Sequence, residues 1–131
     1  MNITLKISLK PFQRLKKLLE SDNNMEMAIV ITSMVLATVA TIFMFVNDWI
    51  VLYGDAESHL NIAKRVIHSV TPGAAQLGGI WLPIPHLMLI PFVASDFLWR
   101  TGVAGSLVSG VAFIISGLYL YKTTYFITKD K

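Results

Sequence analysis

Two long runs of apolar residues dominate the pattern of hydrophobic and polar positions along the chain. Residues 28–46 and residues 103–121 each contain 19 residues without a charge. At about 1.5 Å of rise per residue, a helix of this length spans about 28 Å, close to the hydrocarbon thickness of a bilayer. The pattern therefore predicts an all-α membrane protein, in which two transmembrane helices are joined by an outer loop with interfacial amphipathic helices.

The charged flanks predict how such a hairpin is oriented. Five basic residues precede the first run, and Lys122, Lys129 and Lys131 follow the second. Basic flanks favour the cytoplasmic side, so both termini are predicted to be cytoplasmic and the loop extracytoplasmic. The predicted segments are a basic leader (1–26), the first span (27–47), the outer loop (48–101), the second span (102–121) and a tail (122–131). The leader is either an ordinary flank or a helix lying in the headgroup layer.

The outer loop shows shorter patterns of its own. Residues 56–70 place polar and apolar positions on two sides of a predicted amphipathic helix, which the following Thr-Pro-Gly ends. Residues 81–93 are apolar but contain three prolines, which favours a segment along or dipping into the outer interface over a clean span. Asp96 and Arg100 have the spacing of a helical ion pair.

Small residues recur along the start of the second run. Gly102, Ser106 and Gly110 repeat every four residues, a spacing that lets helix backbones approach closely. Two spans alone leave much packing surface unused. A homo-oligomer or a further membrane subunit is therefore predicted, with membrane lipid around it.

Composition narrows the classes of chemistry. The chain of 131 residues is 54% hydrophobic and 15% charged, and it has no cysteine. Disulfides, thiolate metal sites and cysteine nucleophiles are excluded. The net charge of +3 resides mainly in the tails, so it indicates topology, and no nucleic-acid partner is expected. No P-loop or dinucleotide fingerprint is present, which argues against a soluble nucleotide donor.

Asp55 is the first candidate for chemistry, because it follows the first span directly. One interpretation is a helix N-cap; another is a general base or a ligand for a divalent cation just above the bilayer. His59 lies four residues later, on the same helical face. Two side chains are too few for a metal site, so no metal ligand is assigned and a divalent cation is the one candidate cofactor.

Lys64 and Arg65 lie on the predicted outer helix. They are either a solvated polar face or contacts for a phosphate at headgroup level, which a guanidinium binds well. His68 and His86 have no partner at a diagnostic spacing and are interpreted as interfacial hydrogen-bonding residues.

The order of these elements resembles the start of polytopic membrane glycosyltransferases of the GT-C type, including the protein-mannosyltransferase-like enzymes. The resemblance rests on Gly54-Asp55-Ala56 after the first span, a juxtamembrane helix, a Thr-Pro-Gly turn and the segment WLPIPH before the second span. It implies transfer of a sugar from a polyprenyl-phosphate or dolichyl-phosphate donor to an acceptor on the outer face.

The resemblance also implies roles for individual residues. Asp55 matches the family's acidic residue at the start of the first outer loop, which is the catalytic base or organises the site, and Glu57 is a weaker candidate. Independently of the resemblance, contacts with the substrate or its phosphate are predicted for His59, Lys64, Arg65 and His86. Family members have many more spans, so this chain is expected to be an N-terminal module, either truncated or split.

The alternative class is a non-enzymatic small membrane protein that docks on a larger membrane partner. A channel or transporter subunit has little support, because neither span carries a charged residue that would face a pore.

Overall fold

The computed structural model describes residues 23–77 and 82–128, and every regular element in these ranges is helical. The elements are α1 (Asn23–Val46), α2 (Gly54–Ile67), a 3₁₀ turn (Ala74–Leu77), α3 (Pro83–Val93), α4 (Asp96–Arg100) and α5 (Val103–Thr128). The all-α prediction is confirmed for this part of the chain. Most of the basic leader, residues 1–22, lies outside the described residues, as do Lys129 and Lys131.

The two longest helices, α1 and α5, pack along each other as a hairpin. They have 24 and 26 residues, and both are long and apolar enough to cross a membrane. Only 6% of each apolar stretch is buried inside the structure, whereas the core helix of a soluble protein would be mostly buried. α5 continues seven residues past the predicted end of the second span, so Lys122 belongs to this helix and not to a tail.

Small residues set the distance between the two helices of the hairpin. A Cβ added to Gly110 would lie 3.7 Å from the Cβ of Ala37, and one added to Gly117 would lie 3.1 Å from Oγ of Ser33. The predicted close packing is thus confirmed at Gly110. Gly105, in contrast, has no such neighbour within 4 Å and faces open space.

The first helix of the hairpin ends in a left-handed turn at Asp48, whose φ is +57°. The amide of Trp49 donates to the carbonyl of Met44, and the amide of Asp48 donates to the carbonyl of Phe45. This is the Schellman arrangement, which satisfies carbonyls that the end of a helix leaves without partners. It turns the chain away from the hairpin and into the loop.

The loop helices pack on one another and on the start of α5. The apolar cluster at their contact comes from three helices and consists of Leu60, Ala63, Leu89, Val93 and Ala104. The amphipathic helix predicted over residues 56–70 is α2, which begins two residues earlier and ends three residues earlier. Its apolar side faces α3 because only this arrangement removes both surfaces from water.

The helix α3 forms within the proline-rich segment. Pro83 is the first residue of the helix and Pro85 lies in its first turn, where a missing amide hydrogen costs no intrahelical bond. Pro91 lies inside the helix. With 11 residues, α3 is about 16 Å long, too short to cross a bilayer. The argument against a spanning helix here therefore holds.

Two local predictions are wrong. The residue before α2 is Tyr53, which makes no side-chain cap, and Asp55 lies inside the first turn instead of capping it. Asp96 does not pair with Arg100, because its carboxylate contacts Nζ of Lys64 at 2.7 Å while Arg100 lies over the Trp99 ring. A tertiary partner 32 residues away has displaced the local one.

Candidate functional site

A cavity of about 400 Å³ opens where the loop helices meet the start of α5. Asp55 and His59 line it from α2, and Gly102, Gly105 and Ser106 line it from the chain entering α5. The small residues explain why the space exists, because larger side chains at these positions would fill it. The cavity falls in the volume range of about 300–1,000 Å³ that is usual for small-molecule sites.

The first pair of chemical groups in this cavity is Asp55 and His59, one helical turn apart. Oδ2 of Asp55 lies 3.4 Å from Nε2 of His59, and their side chains are 35% and 26% exposed. Both groups are therefore reachable from the cavity while the imidazole holds the carboxylate on one side. The expectation that the two share a helical face is confirmed.

A second imidazole stands behind the first. Nδ1 of His59 lies 2.8 Å from Nε2 of His86, and the two ring centroids are 4.8 Å apart. His86 is fully buried in α3 and is not among the residues that line the cavity. Asp55, His59 and His86 thus form a row in which His59 is the middle member.

The hydrogen-bonding capacity of the row favours one arrangement of protons. If Nε2–H of His59 faces Asp55, its Nδ1 accepts from Nε2–H of His86. Nδ1 of His86 then carries a lone pair, and this buried atom has no hydrogen-bond partner among the described residues. The opposite tautomer of His59 would turn the lone pair of its Nε2 towards the carboxylate of Asp55, so this assignment is preferred.

Burial lowers the pKa of His86 from its ordinary value, because the ring cannot be hydrated when charged. The neighbouring His59 lowers it further, and the backbone of Leu82, near the ring but outside hydrogen-bonding geometry, acts in the opposite direction. Burial and the neighbouring His59 therefore favour the neutral form of His86.

The same geometry bears on a metal ion. Asp55 and His86 lie on opposite nitrogens of the His59 ring, so the three cannot point at one ion. Within residues 23–77 and 82–128, no group of three His, Asp or Glu side chains could hold a metal ion. The arrangement is suited to orienting a carboxylate and moving a proton.

Lys64 lies on another side of α2 and takes part in a separate cluster. Its buried ammonium group donates to the carbonyl of Val93 at 2.9 Å and to Oδ1 of Asp96 at 2.7 Å. It also lies 5.0 Å from the centroid of the Trp99 ring. The hydrogen bond and charge of Lys64 lower the pKa of the Asp96 carboxyl, with smaller contributions from Arg100 and His68.

The structure thus divides the residues assigned from the sequence into two groups. Asp55, His59 and His86 are brought together at the first cavity. Lys64 and Arg65 line a second cavity with His68. Glu57 is exposed and lines neither cavity, so the structure does not bring it to Asp55.

Several contributors to these sites carry no signal in the sequence. His86 follows His59 by 27 residues, a separation at which spacing carries no information. The sequence pairs Asp96 only with its neighbour Arg100, but the structure pairs it with Lys64 across the loop. Trp99 carries no assignment from the sequence, and its Nε1 donates to Oδ1 of Asn61. The repeat of small residues predicts Ser106 as a helix-packing residue, and in the structure Ser106 lines the first cavity.

Comparison of the chain with protein families, with curated proteins and with solved structures finds no match.

Proposed function

We propose that this chain is a module of an integral-membrane glycosyltransferase, which moves a sugar from a polyprenyl-phosphate donor to a hydroxyl acceptor. The observation that carries the proposal is the row of Asp55, His59 and His86, which ends at a cavity beside the top of the helical hairpin. A partly exposed carboxylate in contact with an imidazole can act as a general base.

In the proposed step, Asp55 accepts the proton of the acceptor hydroxyl as its oxygen attacks the anomeric carbon of the sugar. The new bond joins that oxygen to the anomeric carbon. The bond between the anomeric carbon and the phosphate oxygen breaks, and the polyprenyl phosphate leaves with the bonding pair. Direct attack inverts the configuration at the anomeric carbon.

The lining of the cavity suits an amphiphilic substrate. Asp55, His59 and the hydroxyl of Ser106 supply polar groups, while Leu89 and Val108 supply apolar walls. A lipid-linked sugar has the same division, because its head is polar and its chain is a hydrocarbon. The cavity also lies next to the start of α5, so a prenyl chain could run along this helix while the sugar reaches Asp55.

His59 and His86 act as positioning residues in this proposal. His59 fixes the carboxylate of Asp55 through its Nε2, and His86 fixes the ring of His59 through its Nδ1. The buried, neutral His86 keeps the middle ring in the orientation that the carboxylate needs. Such support from behind is typical of sites that hold a reactive group in place.

Membrane insertion of α1 and α5 is part of the proposal. Their exposed apolar surfaces support insertion into lipid. The basic residues before α1 and after α5 support an orientation with both termini in the cytoplasm and the catalytic loop outside.

The alternative, a small membrane protein that docks on a larger one, is favoured by a specific observation. With only 6% of each long apolar stretch buried, both helices offer wide surfaces for another membrane protein. The same surfaces suit lipid. The two proposals differ in whether the loop site performs chemistry.

The test is transfer of a labelled sugar from a polyprenyl-phosphate donor in membranes that contain the full chain. Asp55→Asn keeps the shape of the side chain and removes the base, so transfer should fall by at least about a hundredfold. Glu57→Gln is the matched comparison, because it removes a carboxylate two residues away and outside the cavity. A chelator included in one arm reports whether a divalent cation is required.

If Asp55→Asn abolishes transfer while Glu57→Gln retains it, Asp55 is assigned as the base. Equal loss in both variants would contradict the assignment of Asp55. Absence of transfer in every arm would favour the docking alternative, which co-purification of a larger membrane protein would then support.

A further inference from the structure

A second polar cavity lies on the other side of α2 from Asp55. Its volume is about 450 Å³, and it is formed between α2 and α4. The residues that line it are Asn61, Lys64, Arg65, His68, Asp96 and Trp99. All six side chains carry a polar group, in contrast to the mixed lining of the first cavity.

The single acid in this lining is already engaged. Asp96 accepts from the buried ammonium of Lys64, which donates a second hydrogen bond to the carbonyl of Val93. A lysine ammonium has three hydrogens, so one remains for a further acceptor. Because the charge of Asp96 is balanced by Lys64, this pair does not make the cavity negative.

The remaining polar groups of the lining are mainly donors. Arg65 is exposed, and it makes no hydrogen bond or ion pair with any described residue. The side-chain oxygen of Asn61 accepts from Nε1 of Trp99 at 3.0 Å, which leaves the amide hydrogens of Asn61 for another partner. His68 adds an imidazole at the rim. An uncompensated guanidinium beside unused N–H donors is complementary to an anion.

We propose that this cavity binds a phosphate group, supplied either by a lipid headgroup or by a soluble phosphate ester. The guanidinium of Arg65 matches two phosphate oxygens at once, and the amide of Asn61 and the third hydrogen of Lys64 can complete the contacts. The proposal goes beyond the transfer reaction and does not depend on it. The site is separate from the cavity that contains Asp55.

The packing around Lys64 prepares the site. The ammonium group is held at the end of α3 by the Val93 carbonyl and over the Trp99 ring, at 5.0 Å from its centroid. It therefore loses little further freedom when a ligand arrives, and a preformed site binds more tightly than one that must be ordered. Arg65 provides the exposed half of the site.

The experiment uses the full purified chain in two settings. In neutral detergent micelles, binding of inorganic phosphate and of glycerol 3-phosphate is measured by calorimetry. In nanodiscs of phosphatidylcholine, with or without about one-fifth phosphatidylglycerol, the lipid retained by the protein is measured by native mass spectrometry. Arg65→Gln is compared with Arg100→Gln, which removes the same charge from a nearby residue that does not line the cavity.

We expect the wild type to show saturable binding. Arg65→Gln should weaken its affinity about tenfold, and Arg100→Gln should change it by less than about twofold. Binding of the soluble phosphates would identify a soluble ester as the ligand. Selective retention of phosphatidylglycerol without binding of soluble phosphate would identify a lipid headgroup. Equal weakening by both variants, or no saturable binding in either setting, would overturn the proposal. Both variants are at exposed positions, and unchanged helical circular dichroism checks that they fold.

Discussion

Gly102 joins α4 to α5, and its replacement by alanine gives a sharp test of the fold around the first cavity. Its φ is +77°, a left-handed conformation that costs other residues about 1–2 kcal/mol. A Cβ at this position would also lie 2.5 Å from Cγ2 of Ile50 and 2.6 Å from Cγ1 of Val51. Both atoms belong to short branched side chains, so the backbone between α1 and α2 must move.

The magnitude follows from these two effects. Forcing an extra carbon into a packed site costs about 1–3 kcal/mol, so with the backbone strain Gly102→Ala should destabilise the protein by about 2–5 kcal/mol. Gly105→Ala is the matched variant, three residues along the chain and inside α5. Its Cβ would meet nothing within 4 Å, and alanine is the better helix former by about 0.5–1 kcal/mol. The same chemical change is therefore expected to act in opposite directions.

The assay is equilibrium unfolding of the detergent-solubilised protein by titration with a denaturing detergent, followed by far-ultraviolet circular dichroism. Gly102→Ala should unfold earlier than the wild type, and Gly105→Ala at the same point or later. A Gly102→Ala protein as stable as the wild type would refute the reasoning, because it would mean that Ile50 and Val51 do not approach this glycine. Destabilisation of similar size in both variants would refute it as well.

Three further predictions concern pH, the hairpin and the end of α1. The lowered pKa of His86 means that the unfolded chain binds a proton at this residue more readily than the folded one, so the stability present above about pH 6.5 should fall as the pH drops below that value. Unfolding measured over a range of acid pH should show this loss, and a His86→Asn protein with the same pH dependence would contradict it. Glu26 of α1 and Lys122 of α5 form an ion pair at 2.9 Å, and both side chains are mostly buried, so Glu26→Gln should lower the free energy of unfolding by about 1–3 kcal/mol in the same assay. Exchanging the two residues (Glu26→Lys with Lys122→Glu) should restore most of the lost stability, and a swapped protein that stays unstable would show that the two side chains are not in direct contact. Asp48 adopts a left-handed φ of +57°, which glycine adopts without strain, and its carboxylate lies at the negative end of the α1 dipole. Asp48→Gly should therefore stabilise the protein by up to about 1 kcal/mol, and a lower thermal midpoint for this variant would contradict the Schellman turn.

Much of the secondary structure was predictable, because its causes are local. Residues 28–46 and 103–121 are uncharged runs long enough to cross a bilayer as helices, and the structure has a long apolar helix at each run. The amphipathic helix α2 was predictable from its two faces. Its first turn was not, because Asp55 has the properties of a cap but the chain enters the helix at Tyr53.

The candidate site was predictable only in part. Asp55 and His59 could be paired from the sequence, since residues four apart share one face of a helix. Helical periodicity also turns Lys64 and Arg65 away from His59. Tertiary packing was needed to show that these two residues line a cavity with Asp96 and Trp99, and that the distant His86 becomes the direct neighbour of His59.

The sequence by itself thus determined the two long apolar helices, the helical segment that connects them and the carboxylate and imidazole at the start of that segment, because hydropathy and helical periodicity act over a few turns. Only the tertiary structure decided that His86 contacts His59, that Asp96 pairs with Lys64 in place of Arg100, and that Gly105 lines the first cavity while Gly110 faces Ala37 of α1. These outcomes depend on how α3 and α4 dock against α2 and α5. Docking satisfies buried polar groups and apolar surfaces together, a condition that no local window of the chain contains.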